Sequence, residues 1–301
     1  MRFDGHDRFI LTPILKILQD TVNACAGIGN GIETQSLCEY VLQTTFLKMT
    51  GASEQKLKCI CWEMATNDYD YRYKYLKKNY GECSSFSEKN KIYKDLVDML
   101  SKQNPMFSVD RIFDDVDVVS KENEIVVEKI KVAIINSEIK KHRKLSASEI
   151  AKMTEGMTRF YAQKIHDNEN HKESVRAIFF NSILEKIECV IGRSLVAQWE
   201  LHNYQNYRDK WKSLSKYNYA DGALLCPELQ VFFNDYVYAH RNRCAHNILS
   251  FQSNLPTLKT LTDEGFIYDN YYFRFSMLIL IDEVFVRLYK AYMNLMESKF
   301  E

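Results

Sequence analysis

The chain has 301 residues, 46% of them apolar and 27% charged, which is ordinary for a globular protein and enough for one large domain or two of usual size. Lys+Arg and Asp+Glu balance at 40 each, so net charge supplies no argument for a nucleic-acid partner, although a local basic patch is compatible with it. Only 10 Gly and 4 Pro occur, too few turn-formers for an all-β fold, and composition favours helices.

In chain order, Ile10, Leu11, Ile14, Leu15, Leu18, Val22 and Cys25 recur at helical spacing and predict one helix over 9–25. Gly27, Gly29 and Gly31 end it; with no strand before them they read as a turn and not as a dinucleotide loop. A second helix is predicted over 35–49, stopping at Gly51, and a third from Ser53 with Leu57, Ile60, Cys61 and Met64 on one face. Residues 68–80 interleave tyrosines (Tyr69, Tyr71, Tyr73, Tyr75, Tyr80) with Arg72, Lys74, Lys77 and Lys78. Such a pattern can stack bases and hold phosphates. An amphipathic helix whose lysine stems cover tyrosine rings is the reading preferred.

Ser84–Ser87 is a polar link, and the helix after it is broken at Gln103-Asn104-Pro105. Asp110, Asp114, Asp115 and Asp117 read as a solvated loop in preference to a metal site. Residues 123–139 are rich in β-branched residues but have the length of a helix. The basic run Lys140-Lys141-His142-Arg143-Lys144 precedes Ser146-Ala147-Ser148-Glu149, a capping box. A boundary is placed there, dividing an N-terminal helical region of unassigned role, 1–145, from a second region, 146–301. In the second, helices are expected over 148–165 and 172–200, an aromatic connection over 204–222, a helix opened by Pro227, a break over 250–256 and a last helix over 268–296.

The eight cysteines contain no C-x-x-C pair and no zinc-finger spacing, so they read as reduced thiols in the role of small apolar residues. The first residues carry no signal-peptide pattern, and the longest apolar run, 277–281, is too short to span a bilayer. The expectation is a cytoplasmic protein with no membrane segment.

Chemistry gathers in one stretch, Tyr238-Ala239-His240-Arg241-Asn242-Arg243-Cys244-Ala245-His246-Asn247. With 13 Arg and 7 His in the chain, roughly one Arg–His pair of such spacing arises by chance; Arg159 with His166 is another and is set aside. Around Arg241 the context is richer. Asn242 adds an orientable donor and acceptor, and on a helix Asn242 and His246 share a face with Arg241 flanking them. A structural role, as a helix-surface arginine and a capped histidine, fits these residues as well as a chemical one does. The chemistry open to them is specific. Histidine can take a proton from a ribose 2′-hydroxyl or give one to a leaving oxygen. Arginine's fork fits a phosphate and the extra charge of a pentavalent transition state. Together they could cleave RNA by attack of the 2′-hydroxyl on the adjacent phosphate, without a metal ion or other cofactor; DNA lacks that hydroxyl.

The run Arg241-Asn242-x-x-x-His246, late in a helical region, resembles the R-x4–6-H signature of the HEPN superfamily. Arg241-Asn242-Arg243-Cys244-Ala245-His246-Asn247 is especially similar to the R-N-x-C-A-H run of abortive-infection members. The resemblance covers about the last 130 to 155 residues. It implies an all-α helical bundle, a two-fold homodimer joined through the Arg241/His246 face, and a metal-independent endoribonuclease of the phage-defence or toxin type. Arg241 would bind phosphate, His246 would be the acid/base, and Asn242 would support them. The resemblance also implies RNA as partner, an antitoxin or regulatory protein as a second, and an acidic residue on the preceding helix, for which Glu185 or Glu188 could serve. The alternative is a non-catalytic HEPN-like module that binds RNA or a nucleotide or serves as a scaffold.

Overall fold

A computed structural model describes residues 5–29, 31–77, 81–113, 146, 148–153, 170–199, 211, 214, 222–246 and 270–297. The regular elements among them are all helical, so the fold is all-α, as composition predicts. The expectations over 114–145, 154–169, most of 204–222 and 250–256, the Arg159–His166 pair and the boundary at 145 lie outside the described residues.

The single helix predicted over 9–25 is two: α1 (Gly5–Leu11) and α2 (Leu15–Ala24). Pro13 divides them, because it has no N–H to donate and its ring clashes with the carbonyl four residues back. The apolar stripe survives the break, with Ile10, Ile14 and Leu18 all buried. The Ile14 N–H left over at the break donates to Asp282 Oδ2 at 2.9 Å. Gly27 closes the turn after α2 with φ +86°.

The two helices predicted on either side of Gly51 are one, α3 (Gln35–Asn67), 33 residues and about 50 Å long. The reason is a stripe that runs past the glycine without a gap: Leu42, Phe46, Met49, Ser53, Leu57, Ile60 and Met64 are buried at three- and four-residue spacing. Gly51 is on the exposed side. Its penalty of about 1 kcal/mol is small beside a stripe whose large members are each worth about 1.5–3 kcal/mol. α4 (Tyr69–Lys77) follows after one extended residue, Asp68, whose Oδ1 accepts the Tyr71 N–H. α5 (Phe86–Gln103) opens with a capping box between Ser85 and Glu88 and ends where predicted, at Asn104-Pro105. A 3-10 turn, Val109–Phe113, comes next.

Ser146 and Glu149 form the second capping box as predicted: the Ser146 N–H donates to Glu149 Oε2 at 3.0 Å and the Glu149 N–H to Ser146 Oγ at 3.4 Å. The helix predicted over 172–200 stops earlier. α6 (Asn170–Ile191) ends at Gly192, which takes φ +52° and returns its N–H to Glu188 O, and α7 (Leu195–Trp199) is a separate short helix. Pro227 is the first residue of α8 (Pro227–Phe232). A π-helical segment, Phe233–Tyr238, carries α8 into α9 (Ala239–His246), and α10 (Tyr271–Glu297) completes the order.

The chain divides into two compact units, Met1–Ile112 with Phe180–Glu301, and Phe113–Phe179. In the second, Phe113 and Phe179 pack ring to ring with centroids 4.5 Å apart. The first is built around α10, which packs on α3, α5 and the π segment. Every residue of α10 from Tyr271 to Asp282 is buried. Trp211 stacks on Phe180 at 4.3 Å and donates its indole N–H to the Phe180 carbonyl. Lys56 of α3 meets Asp282 of α10 at 2.6 Å with both side chains almost wholly out of water. Burial pushes the Asp282 carboxyl up, and Lys56 pulls it back. Removing one member of such a pair costs about 3–5 kcal/mol, because the other is stranded. No helix among the described residues is long and apolar enough to cross a membrane.

Candidate functional site

Helix α9 holds Arg241, Asn242 and the backbone of His246. It is fixed from both ends of the chain. His240, one residue before Arg241, is buried against Phe46 of α3 and Tyr271 of α10, with ring centroids 5.1 and 5.4 Å away. An Arg243 guanidinium N–H faces His240 Nδ1 at 3.3 Å, so the neutral ring carries its proton on Nε2, toward Tyr271 Oη and Cys244 Sγ, each at 3.3 Å. Burial first, then the positive charges of Arg274 and Arg243, push the imidazole down to about 2. His240 is therefore an uncharged wedge that sets the height of α9 above the core, not a proton-transfer group near neutrality.

The π segment sets the rotation. Its wider turns take carbonyls out of the α-helical ladder, and the Tyr236 carbonyl is met by Arg274 Nε at 3.1 Å. Arg274 is itself buried, with its guanidinium over the Tyr271 ring at 4.8 Å. Single π turns inside α-helices recur at functional sites, where they re-aim the residues that follow. Here those residues are Arg241 and Asn242.

Arg241 is 23% exposed. Its Nη1 donates to Asn242 Oδ1 at 3.3 Å, so the pair singled out from sequence is in contact. Nε and Nη2 face the two carboxylate oxygens of Glu54, each at 3.3 Å. Those distances are long for charge-assisted bonds, which close to about 2.7–2.9 Å when tight. His246 is the last residue of α9, one turn beyond Asn242; its side chain lies outside the described residues.

Two residues that sequence reasoning did not single out complete the surroundings. Glu54 comes from α3, 187 positions before Arg241. Lys89 comes from α5, is buried, and donates from Nζ to the Cys83 carbonyl at 2.7 Å. Cys83 presents that carbonyl from a left-handed conformation, φ +60°, that few residues other than glycine adopt. Glu54, Lys89, Ser84 and Arg241 line one cavity of about 10 Å³, room for roughly one water molecule. Burial pushes the Lys89 ammonium down to about 8, against the pull of the Glu54 carboxylate. No spacing in the sequence marks either residue, since the partners are brought together only by the packing of α3 and α5 on α10. Glu185 and Glu188, the acidic residues expected to support the arginine, stand on α6, the first exposed and the second half-buried.

The arrangement presents a planar cation and an amide side by side at the end of a rigid helix, with a carboxylate behind the cation. It is suited to an oxyanion at the surface, where the guanidinium can exchange part of its carboxylate contact for a phosphate oxygen. No family model, curated protein or solved structure matches the chain, so the case for the site rests on its own residues and geometry.

Proposed function

We propose that the chain is an endoribonuclease of the HEPN type, with Arg241, Asn242 and His246 as its working residues. The observation that carries the reading is the contact between Arg241 and Asn242 on a partly exposed helix, one turn before His246. In this reading the imidazole of His246 takes the proton of a ribose 2′-hydroxyl, and the freed oxygen attacks the adjacent phosphorus. The bond to the 5′-oxygen of the next nucleotide breaks, and that oxygen collects a proton. Arg241 holds the non-bridging oxygens as negative charge builds on them, and Asn242 keeps the guanidinium in register. The products are a 2′,3′-cyclic phosphate and a 5′-hydroxyl. No step calls for a metal ion, cofactor or external oxidant.

By the same resemblance the enzyme works as a homodimer joined through the Arg241/His246 face, as a phage-defence or toxin-type effector in the cytoplasm, held in check by an antitoxin or regulatory partner. A second reading, a non-catalytic RNA- or nucleotide-binding module, is favoured by one specific feature: Arg241 already has a carboxylate partner in Glu54.

The deciding experiment incubates purified protein with total tRNA and a long single-stranded RNA in the presence of EDTA, beside Arg241→Ala and His246→Ala. Cleavage to 2′,3′-cyclic phosphate ends, reduced at least a hundredfold in each variant, supports the enzyme. No cleavage by the parent protein supports the binding module. Full cleavage by both variants removes Arg241 and His246 from the site. Light scattering of the same samples tests the dimer, which is refuted by an active monomer.

A further inference from the structure

Helix α4 is the one tyrosine-rich stretch of the described chain, and its rings are divided between two sides. Tyr71 is buried and packs against Tyr75 with ring centroids 5.9 Å apart. Tyr69 and Tyr73 are on the opposite side and are 79% and 56% exposed. Tyr69, Tyr73 and Lys77 are spaced by four, so they fall within about 80° of one another around the helix and rise by about 6 Å per step. Lys74 and Arg72 flank this face, and Asp70 is the single carboxylate within the helix. Lys77 Nζ lies 4.1 Å from the Tyr73 ring centroid and 2.7 Å from its hydroxyl, which covers one part of the ring while most of it stays in water. Arg72 donates to the Ala65 carbonyl at the end of α3 and so locks α4 onto its neighbour. Trp62, one turn before Ala65, is a third large ring in solvent, 64% exposed.

The covering of tyrosine by lysine expected from sequence accounts for Tyr73 in part and for Tyr69 not at all. Rings of this size are ordinarily spent on packing; here the inner pair packs and the outer pair does not. We propose that the outer face of α4 is a docking surface for single-stranded RNA, with Tyr69 and Tyr73 as stacking platforms for two bases and Lys74 and Lys77 on the phosphates between them. The occupant follows from the combination. Helix α4 carries Arg72, Lys74 and Lys77 against the single carboxylate of Asp70, and flat rings alternating with cations match the flat bases and regular charges of an unpaired strand. The choice of RNA over DNA rests on the nuclease reading of the Arg241 site; the stacking itself does not.

The test separates binding from cleavage. A fluorescein-labelled, unstructured 20-nucleotide RNA is titrated with full-length protein carrying His246→Ala, and anisotropy is read at several salt concentrations. Adding Tyr69→Ala and Tyr73→Ala together is expected to weaken binding at least tenfold. Adding Lys74→Ala and Lys77→Ala is expected to weaken it and to flatten the salt dependence by roughly 0.7 per lost phosphate contact. Lys91→Ala with Lys94→Ala, which removes the same charge from the exposed side of α5, is expected to bind as the parent does. The proposal is overturned if the tyrosine pair binds within twofold of the parent, if the α5 pair weakens binding as much as the α4 pair, or if the parent does not bind. Binding that depends on α4, in a protein whose unmutated form cleaves nothing, would overturn the nuclease reading and leave the surface standing.

Discussion

Glu54 offers Arg241 both carboxylate oxygens at 3.3 Å, and in the proposed nuclease it would hold the guanidinium for a phosphate. Glu54→Ala should then lower kcat/KM for RNA about tenfold to a hundredfold, the range expected when a binding group is left unoriented. The melting temperature should also fall, since Arg241 and Glu54 are only 23% and 15% exposed and the variant leaves a largely buried guanidinium without its carboxylate. Faster cleavage by the variant would mean that Glu54 restrains Arg241 and does not position it. His240 makes a prediction about acid. Its folded imidazole resists protonation down to about 2, while in the unfolded chain it takes a proton near 6.5. Below pH 6.5 the unfolded state therefore binds more protons, and stability falls as pH falls, with a limiting slope of about 1.4 kcal/mol per pH unit from this residue. His240→Gln should lose about 1 kcal/mol less than the parent between pH 7 and 5.5, read by urea unfolding at both values. An identical loss in both proteins would show that His240 does not titrate with unfolding.

Among the elements, α3 shows how a local signal is overruled. Gly51 predicts a helix end, and nothing in the neighbouring dozen residues contradicts it. The helix continues because the stripe from Leu42 to Met64 packs against α10 and α9 along its length, and tertiary burial outweighs one poor helix former. A methyl group at position 51 would meet no atom within 4 Å. Gly51→Ala should accordingly stabilise the protein by about 0.5–1 kcal/mol, measured by chemical denaturation; destabilisation would argue that the helix is not continuous there. Pro13 is the reverse case, because a missing N–H is a defect that no packing repairs, and it divides α1 from α2 although the stripe reads straight through it. The capping box at Ser146, the stop at Asn104-Pro105 and the start at Pro227 were legible for the same reason. Each depends on groups within four residues of one another.

For the whole molecule the decisive fact is that α3 and α5, from the first third of the sequence, share a core with α9 and α10 from the last. A fragment of residues 146–301 would expose the faces of α10 that α3 and α5 cover, and would leave Asp282 without Lys56. It should therefore fail to melt cooperatively by circular dichroism, whereas the full chain should show a sharp transition. A cooperative melt of the fragment would make the C-terminal region self-sufficient.

The sequence by itself determined the helical class, the helix ends set by a local cap or a proline, and the adjacency of Arg241 and Asn242, because spacing, caps and adjacent side chains act over a few residues. It could not supply Glu54 and Lys89 beside Arg241, the neutral state of His240, or the π turn that aims α9. Those depend on which distant helices meet and on how much water their meeting excludes. Burial and desolvation are properties of the packed chain, and no window of residues contains them.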